Sequence, residues 1–284
     1  MTPYHLTMPE NWTTGVLFAS PHSGSYYPSE LVDRSLLCRT EIRSSEDAYV
    51  DELFSASVRF GAPLLRAVYP RAYVDLNRDS DELDPALIRG APPSRSNPRV
   101  ASGLGVIPRV VANGRAIFRG KISLEEAFAR IDNVWHPYHE KLAELIDHGA
   151  SQFGQMLLLD CHSMPHEAIH GTAGGNGIPD VVLGDRYGTT AASEFMDVVE
   201  AAFAAVGFRV ARNTPFAGAF TTQRYGKPSR NRHAIQIEVD RSLYMDEQIL
   251  KRRPEFTQIQ QAITHALGEI CIYCQRPSMP LAAE

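Results

Sequence analysis

The sequence predicts one α/β domain over residues 1–284, a mainly parallel mixed sheet with helices on both faces. Three observations carry this reading. The run Met156-Leu157-Leu158-Leu159 passes straight into Asp160-Cys161-His162-Ser163. A short unbroken apolar run reads as a strand buried on both sides, as in the middle of a parallel sheet. Two more apolar runs also end in polar clusters. Val16-Leu17-Phe18-Ala19-Ser20 leads into Pro21-His22-Ser23-Gly24, and Ala72-Tyr73-Val74-Asp75-Leu76 into Asn77-Arg78-Asp79. Finally, such runs alternate with helical patterns, which indicates a sheet covered on both faces. Ligands of open α/β sheets lie outside the carboxyl ends of the strands, so the three polar clusters are expected to meet there.

The elements follow in order. Residues 16–20 form the first strand. Residues 44–60 read as a helix: Ser44 can cap it, Glu46 and Asp47 fill its first turn, and Gly61-Ala62-Pro63 stops it. Tyr49, Leu53, Ala56 and Phe60 give that helix an apolar stripe. Residues 64–69 and 71–77 read as strands broken at Pro70. In the second, Ala72, Val74 and Leu76 point one way and Arg71, Tyr73, Asp75 and Asn77 the other. That second face is too polar for an ordinary core. Residues 80–121 are rich in Pro, Gly and Arg, and a connection so long is usually functional or disordered. Its Asn113-Gly114 pair between apolar residues signals a hairpin. The segment reads as a flap over the site or as a plain surface loop.

Ser123-x-x-Glu126 is a capping-box pattern, opening a helix to about His148 that Pro137 kinks or splits. A strand over 156–160 follows. The glycine-rich stretch 171–177 lacks the Gly-Lys-Ser/Thr ending of a phosphate-binding loop. Short strands at 181–183 and 208–211 flank a helix over 190–206. A loop over 212–232 leads to a strand at 234–239, and the last helix covers roughly 246–273.

Composition narrows the function. With 284 residues, 44% hydrophobic and 21% charged, the chain can bury one large core. A net charge of −5 argues against a nucleic-acid surface. Lys251-Arg252-Arg253 reads as a solvated helix end. No apolar run approaches the ~18 residues of a membrane span, and residues 1–12 lack the basic and apolar regions of a secretory signal. A cytoplasmic location is expected. Cys38, Cys161, Cys271 and Cys274 read as reduced thiols. Cys271-x-x-Cys274 has zinc-ribbon spacing but no second pair, and it sits on a helix, so its thiols read as incidental.

Four kinds of residue could do chemistry. His22 and His162 each follow a buried-type strand and could present imidazole at one sheet edge. Catalytic zinc takes three protein ligands, often two His and a carboxylate. Glu46, Asp47 and Asp51 are the carboxylate candidates. A lone histidine after a strand is usually a polar loop residue; two of them with an acid-rich helix start make the metal reading as good as that one. Glu238 stands inside Ile235-Gln236-Ile237-Glu238-Val239, where a carboxylate is costly unless paired or functional. It is either a partner of Arg241 or Arg232, or a general base. Arg71 and Arg78 suit a substrate carboxylate or a developing oxyanion, or pair with Asp75 and Asp79.

Pro21-His22-Ser23-Gly24, Asp47-Ala48-Tyr49-Val50-Asp51, Arg71-x-x-x-Asp75-Leu76-Asn77-Arg78, Asp160-Cys161-His162-Ser163, residues 218–226 and Ile237-Glu238-Val239 occur in one order. In this order, from about residue 15 to 270, the chain resembles the N-formylglutamate amidohydrolase family. That family looks related to the zinc carboxypeptidases and aspartoacylases. The resemblance implies that fold, one zinc per chain, and hydrolysis of N-formyl-L-glutamate to glutamate and formate, a step of histidine degradation. It implies His22 and His162 as metal ligands, Arg71 beside the scissile carbonyl, Glu238 as general base, and Asn77 with Arg78 at the α-carboxylate. The third ligand departs from the carboxypeptidase pattern, which would place it at Ser25; Asp47 is the choice here and Glu46 the second. A glutamate-like substrate needs another cation, for which Arg224 in Gln223-Arg224-Tyr225-Gly226 is the candidate, then Arg115 and Arg119. The rival readings are an amidohydrolase or peptidase for another small N-acyl amino acid, and a ligand-binding relative without turnover.

Overall fold

The computed structural model describes residues 2–92, 97–172 and 177–275. Seven strands form one sheet: β1 (Tyr4–Thr7), β2 (Val16–Ser20), β3 (Leu64–Ala67), β4 (Met156–Met164), β5 (Val181–Gly184), β6 (Val210–Arg212) and β7 (Arg232–Asp240). Their spatial order is β1-β3-β2-β4-β7-β5-β6. The central neighbours β3, β2, β4 and β7 run parallel, while β1 lies antiparallel on β3 and β5 antiparallel on β7. The sheet is therefore mixed and mainly parallel, as the alternation of apolar runs and helices predicts.

Each strand divides its side chains between two cores. Val16, Phe18, Leu157, Leu159, Ile235 and Ile237 pack on helices α3 (Ser193–Ala205) and α5 (Phe256–Cys274). Leu17, Ala19, Met156, Leu158 and Ala234 face α2 (His136–Phe153), which follows α1 (Leu124–Arg130). Period-two alternation in a sheet covered on both sides makes every position apolar, which is why these strands read as continuous runs. Burying one such Leu or Phe contributes about 1.5–3 kcal/mol.

The strands through the middle are longer than their apolar runs. β4 and β7 each span nine residues, so His162 lies within a strand and not after it, and Glu238 lies within its strand as expected. Asp160 is registered with Gln236 and His162 with Glu238. These four side chains continue the face that Leu158 and Ala234 begin. One face thus turns from apolar to polar along its length.

Several predicted elements differ. Residues 44–60 are not one helix but a 3-10 turn (Arg43–Ser45), a helical turn (Val50–Leu53) and a second 3-10 turn (Ser55–Phe60). Ser44 does not cap: its Oγ donates to Glu41 O at 2.8 Å. The break falls where Tyr49 takes a left-handed φ of 68° and Asp47 N–H donates to His22 O at 3.0 Å. Residues 71–77 make turns, not a strand, and the alternation holds except at Tyr73: Ala72, Val74 and Leu76 are buried in the α2-side core, and Tyr73 packs against that core as well. The last helix begins at Phe256, because Met245–Asp246 pairs with Lys251–Arg252 as a small ribbon ahead of it. The loop 212–232 holds a further helix, α4 (Phe220–Tyr225).

Ser123 caps α1 as predicted, accepting from Glu126 N–H at 3.0 Å. Pro137 does not split the helix; a π turn at Ile131–Trp135 precedes it and carries the chain into α2. Proline removes a donor from the helical ladder, and a wider turn accommodates that loss. Within 80–121, the Asn-Gly pair lies in a 3-10 turn closed by a bridge between Val110 and Ala116, so it is one tight turn without a longer ladder. Residues 173–176 of the glycine-rich stretch lie outside the described residues. Cys161, Cys271 and Cys274 are buried free thiols and Cys38 an exposed one. No described helix is long and apolar enough to cross a membrane.

Candidate active site

A cavity of about 600 Å³ opens at the carboxyl ends of β2, β4 and β7. His22, two residues beyond β2, reaches it because the chain turns tightly past the end of β3. A Cβ at Gly24 would lie 2.1 Å from Tyr69 O, so only glycine permits that approach. Asp47 enters from the break in the 44–60 segment. Asp160 and His162 come from β4, and Gln236 and Glu238 from β7. The 71–78 segment supplies Arg71, Asp75, Asn77 and Arg78. Two donors from the helical layer clamp that segment: Trp135 Nε1 to Arg78 O at 2.9 Å and His139 Nε2 to Leu76 O at 2.9 Å.

His22, Asp47 and His162 converge, their ligating atoms all within 4.8 Å of one another and all buried. Asp47 Oδ2 lies 3.0 Å from His162 Nδ1 and 3.5 Å from His22 Nδ1. Ligands each about 2.0–2.1 Å from a tetrahedral ion stand ~3.3 Å apart. Among the described residues His22 Nδ1 is buried without a hydrogen-bond partner, a costly state that a metal ion would relieve. The far nitrogens are held by acids: His22 Nε2 by Asp75 Oδ1 at 2.7 Å, His162 Nε2 by Asp160 Oδ2 at 3.0 Å. Metal-binding histidines commonly give their second nitrogen to a carboxylate in this way. The other oxygen of Asp47 accepts from Arg241 Nη2 at 2.8 Å and Ser163 Oγ at 3.3 Å. The donor set therefore fits a divalent cation.

The charges are consistent with that fit. Burial alone would raise the Asp47 carboxyl, but the hydrogen bond from His162 and the charges of Arg241 and His22 hold it well below its usual value. Burial likewise opposes ionisation of Asp75, yet the charges of Arg71, His22 and Arg78 keep it low. Glu238 is pushed up to about 7, first by burial. Its hydrogen bond comes from Gln236 Nε2 at 2.8 Å. Arg241 and Arg232, its possible partners in the sequence, pair instead with Asp47 and Asp147.

The remaining residues of the sequence reading divide. Arg71 lines the cavity with its Nε on Asp75 Oδ2 at 2.8 Å. Arg78 lines it as well, nearly buried. Asn77 faces inward: Nδ2 lies 3.2 Å from His162 Nε2, and Oδ1 accepts from Thr221 N–H at 2.8 Å. Glu46 is turned away from the histidines, bound by Arg43 and Tyr27. Asp51 pairs with Arg66. Arg224 is exposed, outside the cavity lining, with its guanidinium 5.5 Å from the Trp135 ring centroid. Arg115 pairs with Glu41 beside a neighbouring cavity, and Arg119 is exposed. From the 80–121 segment, Leu104, Val110, Val111 and Ala112 line the cavity.

Sequence reasoning passed over Asp75 and Asp160 as histidine partners, Gln236, Arg241 as the anchor of Asp47, and Arg99 in the wall. Asp160 and Gln236 each precede a candidate by two residues, and that spacing on a strand puts them on the same face. No comparable local signal marks Arg241 or Arg99.

Converging acids, imidazoles and guanidiniums at the carboxyl ends of a parallel sheet define this protein as an α/β enzyme with a candidate metal centre. The model of the N-formylglutamate amidohydrolase family matches residues 14–245, and the chain belongs to that family. It is 30% identical over 259 residues to an N-formylglutamate deformylase of Pseudomonas aeruginosa, covering 89% of this chain and 91% of that one. A Pseudomonas putida N-formylglutamate deformylase is 29% identical over 235 residues, covering 82% of each chain. The crystal structure of an N-formylglutamate amidohydrolase from Ralstonia eutropha superposes with a TM-score of 0.91 at 34% identity, covering 97% of this chain and 99% of that one. A gene product of Agrobacterium tumefaciens shares the fold, with a TM-score of 0.67 at 16% identity and 97% of each chain covered.

Proposed function

We propose that the chain hydrolyses the formyl amide of N-formyl-L-glutamate, releasing L-glutamate and formate. One observation carries this: Glu238, buried and with a pKa near 7, shares a cavity with the three converging donors His22, Asp47 and His162. The Pseudomonas relatives, named for this reaction, support the same substrate.

His22, Asp47 and His162 would hold the metal, read as zinc. When bound, the ion supplies Lewis acidity that makes water a nucleophile near neutral pH and polarises a carbonyl. Asp75 and Asp160 fix the two imidazoles in the tautomer that turns Nδ1 towards the cavity. Glu238 takes a proton from the attacking water and returns it to the amide nitrogen as the C–N bond breaks. Gln236 Nε2, on Glu238 Oε1, leaves the second carboxylate oxygen for that transfer. Arg71, steadied by Asp75, faces the oxygen on which negative charge develops. Arg78 binds the α-carboxylate as a guanidinium fork. Asn77, with both polar atoms engaged by the protein, helps by holding Asp160, the partner of His162, and α4.

Metal analysis and formate release test this reading together. The purified protein is expected to carry about one zinc per chain and to release formate from N-formyl-L-glutamate. His162→Ala is expected to lose both. Full metal content in that variant would place the metal elsewhere, and a metal-loaded parent without formate release would refute the activity.

A further inference from the structure

Four guanidinium groups belong to the cavity wall: Arg71, Arg78, Arg99 and Arg241. Three are engaged by the protein. Arg71 is on Asp75 and Arg241 on Asp47, and Arg78 gives Nε to Leu104 O at 3.0 Å and Nη1 to Asn77 O at 2.7 Å. Arg99 differs. Among the described residues its guanidinium has no carboxylate or carbonyl partner; only its backbone is bound.

That backbone is held firmly. Asn97 caps the helical turn Pro98–Ala101, its Oδ1 accepting from Arg99 N–H at 3.0 Å while its Nδ2 donates to Glu82 Oε2 at 2.9 Å. Val100 is buried in the turn. Leu104 N–H donates to Arg99 O at 2.8 Å, and Leu104 O accepts from Arg78 Nε, so a single residue ties the two arginines together. Two residues on, Val106 O accepts from Asp75 N–H at 2.8 Å and Val106 N–H donates to Glu82 O at 2.9 Å. At Gly105 a Cβ would meet Glu82 O at 2.4 Å, so the chain passes close there. The arm carrying Arg99 is thus pinned to the segment carrying Asp75 and Arg78.

Arg99 and Arg78 sit on one wall as like charges. Asp75, the nearest acid to Arg78, is 4.0 Å from its Nε and already bound by Arg71. The exposed Arg99 and the buried Arg78 feel each other's charge; two like charges on one wall favour a bound anion, and two guanidiniums favour one with two carboxylates. We propose that Arg99 binds the side-chain carboxylate of the substrate while Arg78 binds the α-carboxylate, so the site selects N-acyl amino acids with acidic side chains. This deepens, and rests on, the amidohydrolase reading above. It assigns to the 80–121 segment the recognition that the sequence suggested for Arg224.

Formate release from N-formyl-L-glutamate and N-formyl-L-glutamine tests the assignment in the parent, Arg99→Gln and Arg224→Gln. Losing one partner of a charged hydrogen bond costs about 2–3 kcal/mol, so Arg99→Gln is expected to lose roughly 30- to 140-fold in kcat/KM on the glutamate substrate. The loss on the glutamine substrate is expected to be several times smaller. Equal losses on both, or a selective loss in Arg224→Gln with Arg99→Gln intact, overturns the proposal. Calorimetric binding of glutarate and butyrate decides it without turnover. The parent is expected to prefer glutarate and Arg99→Gln to lose that preference. A parent without the preference, or a variant that keeps it, overturns the proposal even if the enzyme proves inactive, and a parent that binds as expected without releasing formate overturns only the activity.

Discussion

Asp75 Oδ1 lies 2.7 Å from His22 Nε2, and its other oxygen lies 2.8 Å from Arg71 Nε. One buried carboxylate thereby aims the imidazole of a candidate ligand and the guanidinium beside the candidate oxyanion position. Asp75→Asn retains the shape but not the charge. Outer partners of metal-binding histidines typically contribute 10- to 100-fold in affinity. Competition with a chromophoric chelator is expected to show a fall in zinc affinity of about that size. Unchanged affinity would mean that Asp75 serves Arg71 alone.

Among the described residues Glu238 has no arginine partner, and its side chain is held by Gln236. Glu238→Gln keeps its size and most of its hydrogen bonding while removing its ability to accept a proton. A fall in kcat of about 100-fold or more is expected, with metal content preserved. Near-parental turnover would assign Glu238 a structural role and send the search for the base elsewhere.

Arg78 is nearly buried and has two of its nitrogens on backbone carbonyls. A lysine can supply the charge but not the fork. Arg78→Lys is expected to lower kcat/KM on N-formyl derivatives of glutamate, glutamine and methionine alike. A loss confined to the glutamate derivative would transfer the side-chain carboxylate, and not the α-carboxylate, to Arg78.

Stability in acid tests the clamp on the 71–78 segment. His139 is buried between Leu76 O and the Tyr225 hydroxyl, and burial lowers its pKa to about 3 from 6.5. The unfolded chain therefore takes up this proton first. Stability present above pH 6.5 is lost as the pH falls towards about 3. Between pH 7 and pH 5 this group alone is expected to cost about 2 kcal/mol. Urea titrations at both pH values check it: the fall should be smaller in His139→Gln, and an equal fall in both proteins would assign the acid sensitivity to other groups.

Local chemistry wrote much of this molecule plainly. The apolar runs at 16–20 and 156–159 marked buried strands because a doubly covered sheet leaves no polar alternation, and the alternation at 234–239 marked a strand with Gln236 and Glu238 on one face. His22 stood just past a strand end and His162 in the polar half of its strand, near the carboxyl edge where such sheets place their ligands. The alternation of Arg71, Asp75 and Asn77 with Ala72, Val74 and Leu76 revealed which side chains share a face. That pattern survives in turns as well as in a strand, since burial and not the ladder imposes it.

Only tertiary structure decided the rest. A left-handed Tyr49 and a bond from Asp47 N–H to His22 O broke the helix expected at 44–60. That break gave Asp47 to the histidines and left Glu46 with Arg43. Helical propensity is a weak prior that one long-range contact can override. Arg241 found Asp47 across 194 residues, and Arg99 reached the cavity on an arm pinned by Glu82 and Leu104. Spacing along a chain predicts neighbours only within an element, where the period is fixed. Between elements, which charge meets which is set by the packing of the layers, and no local pattern encodes it.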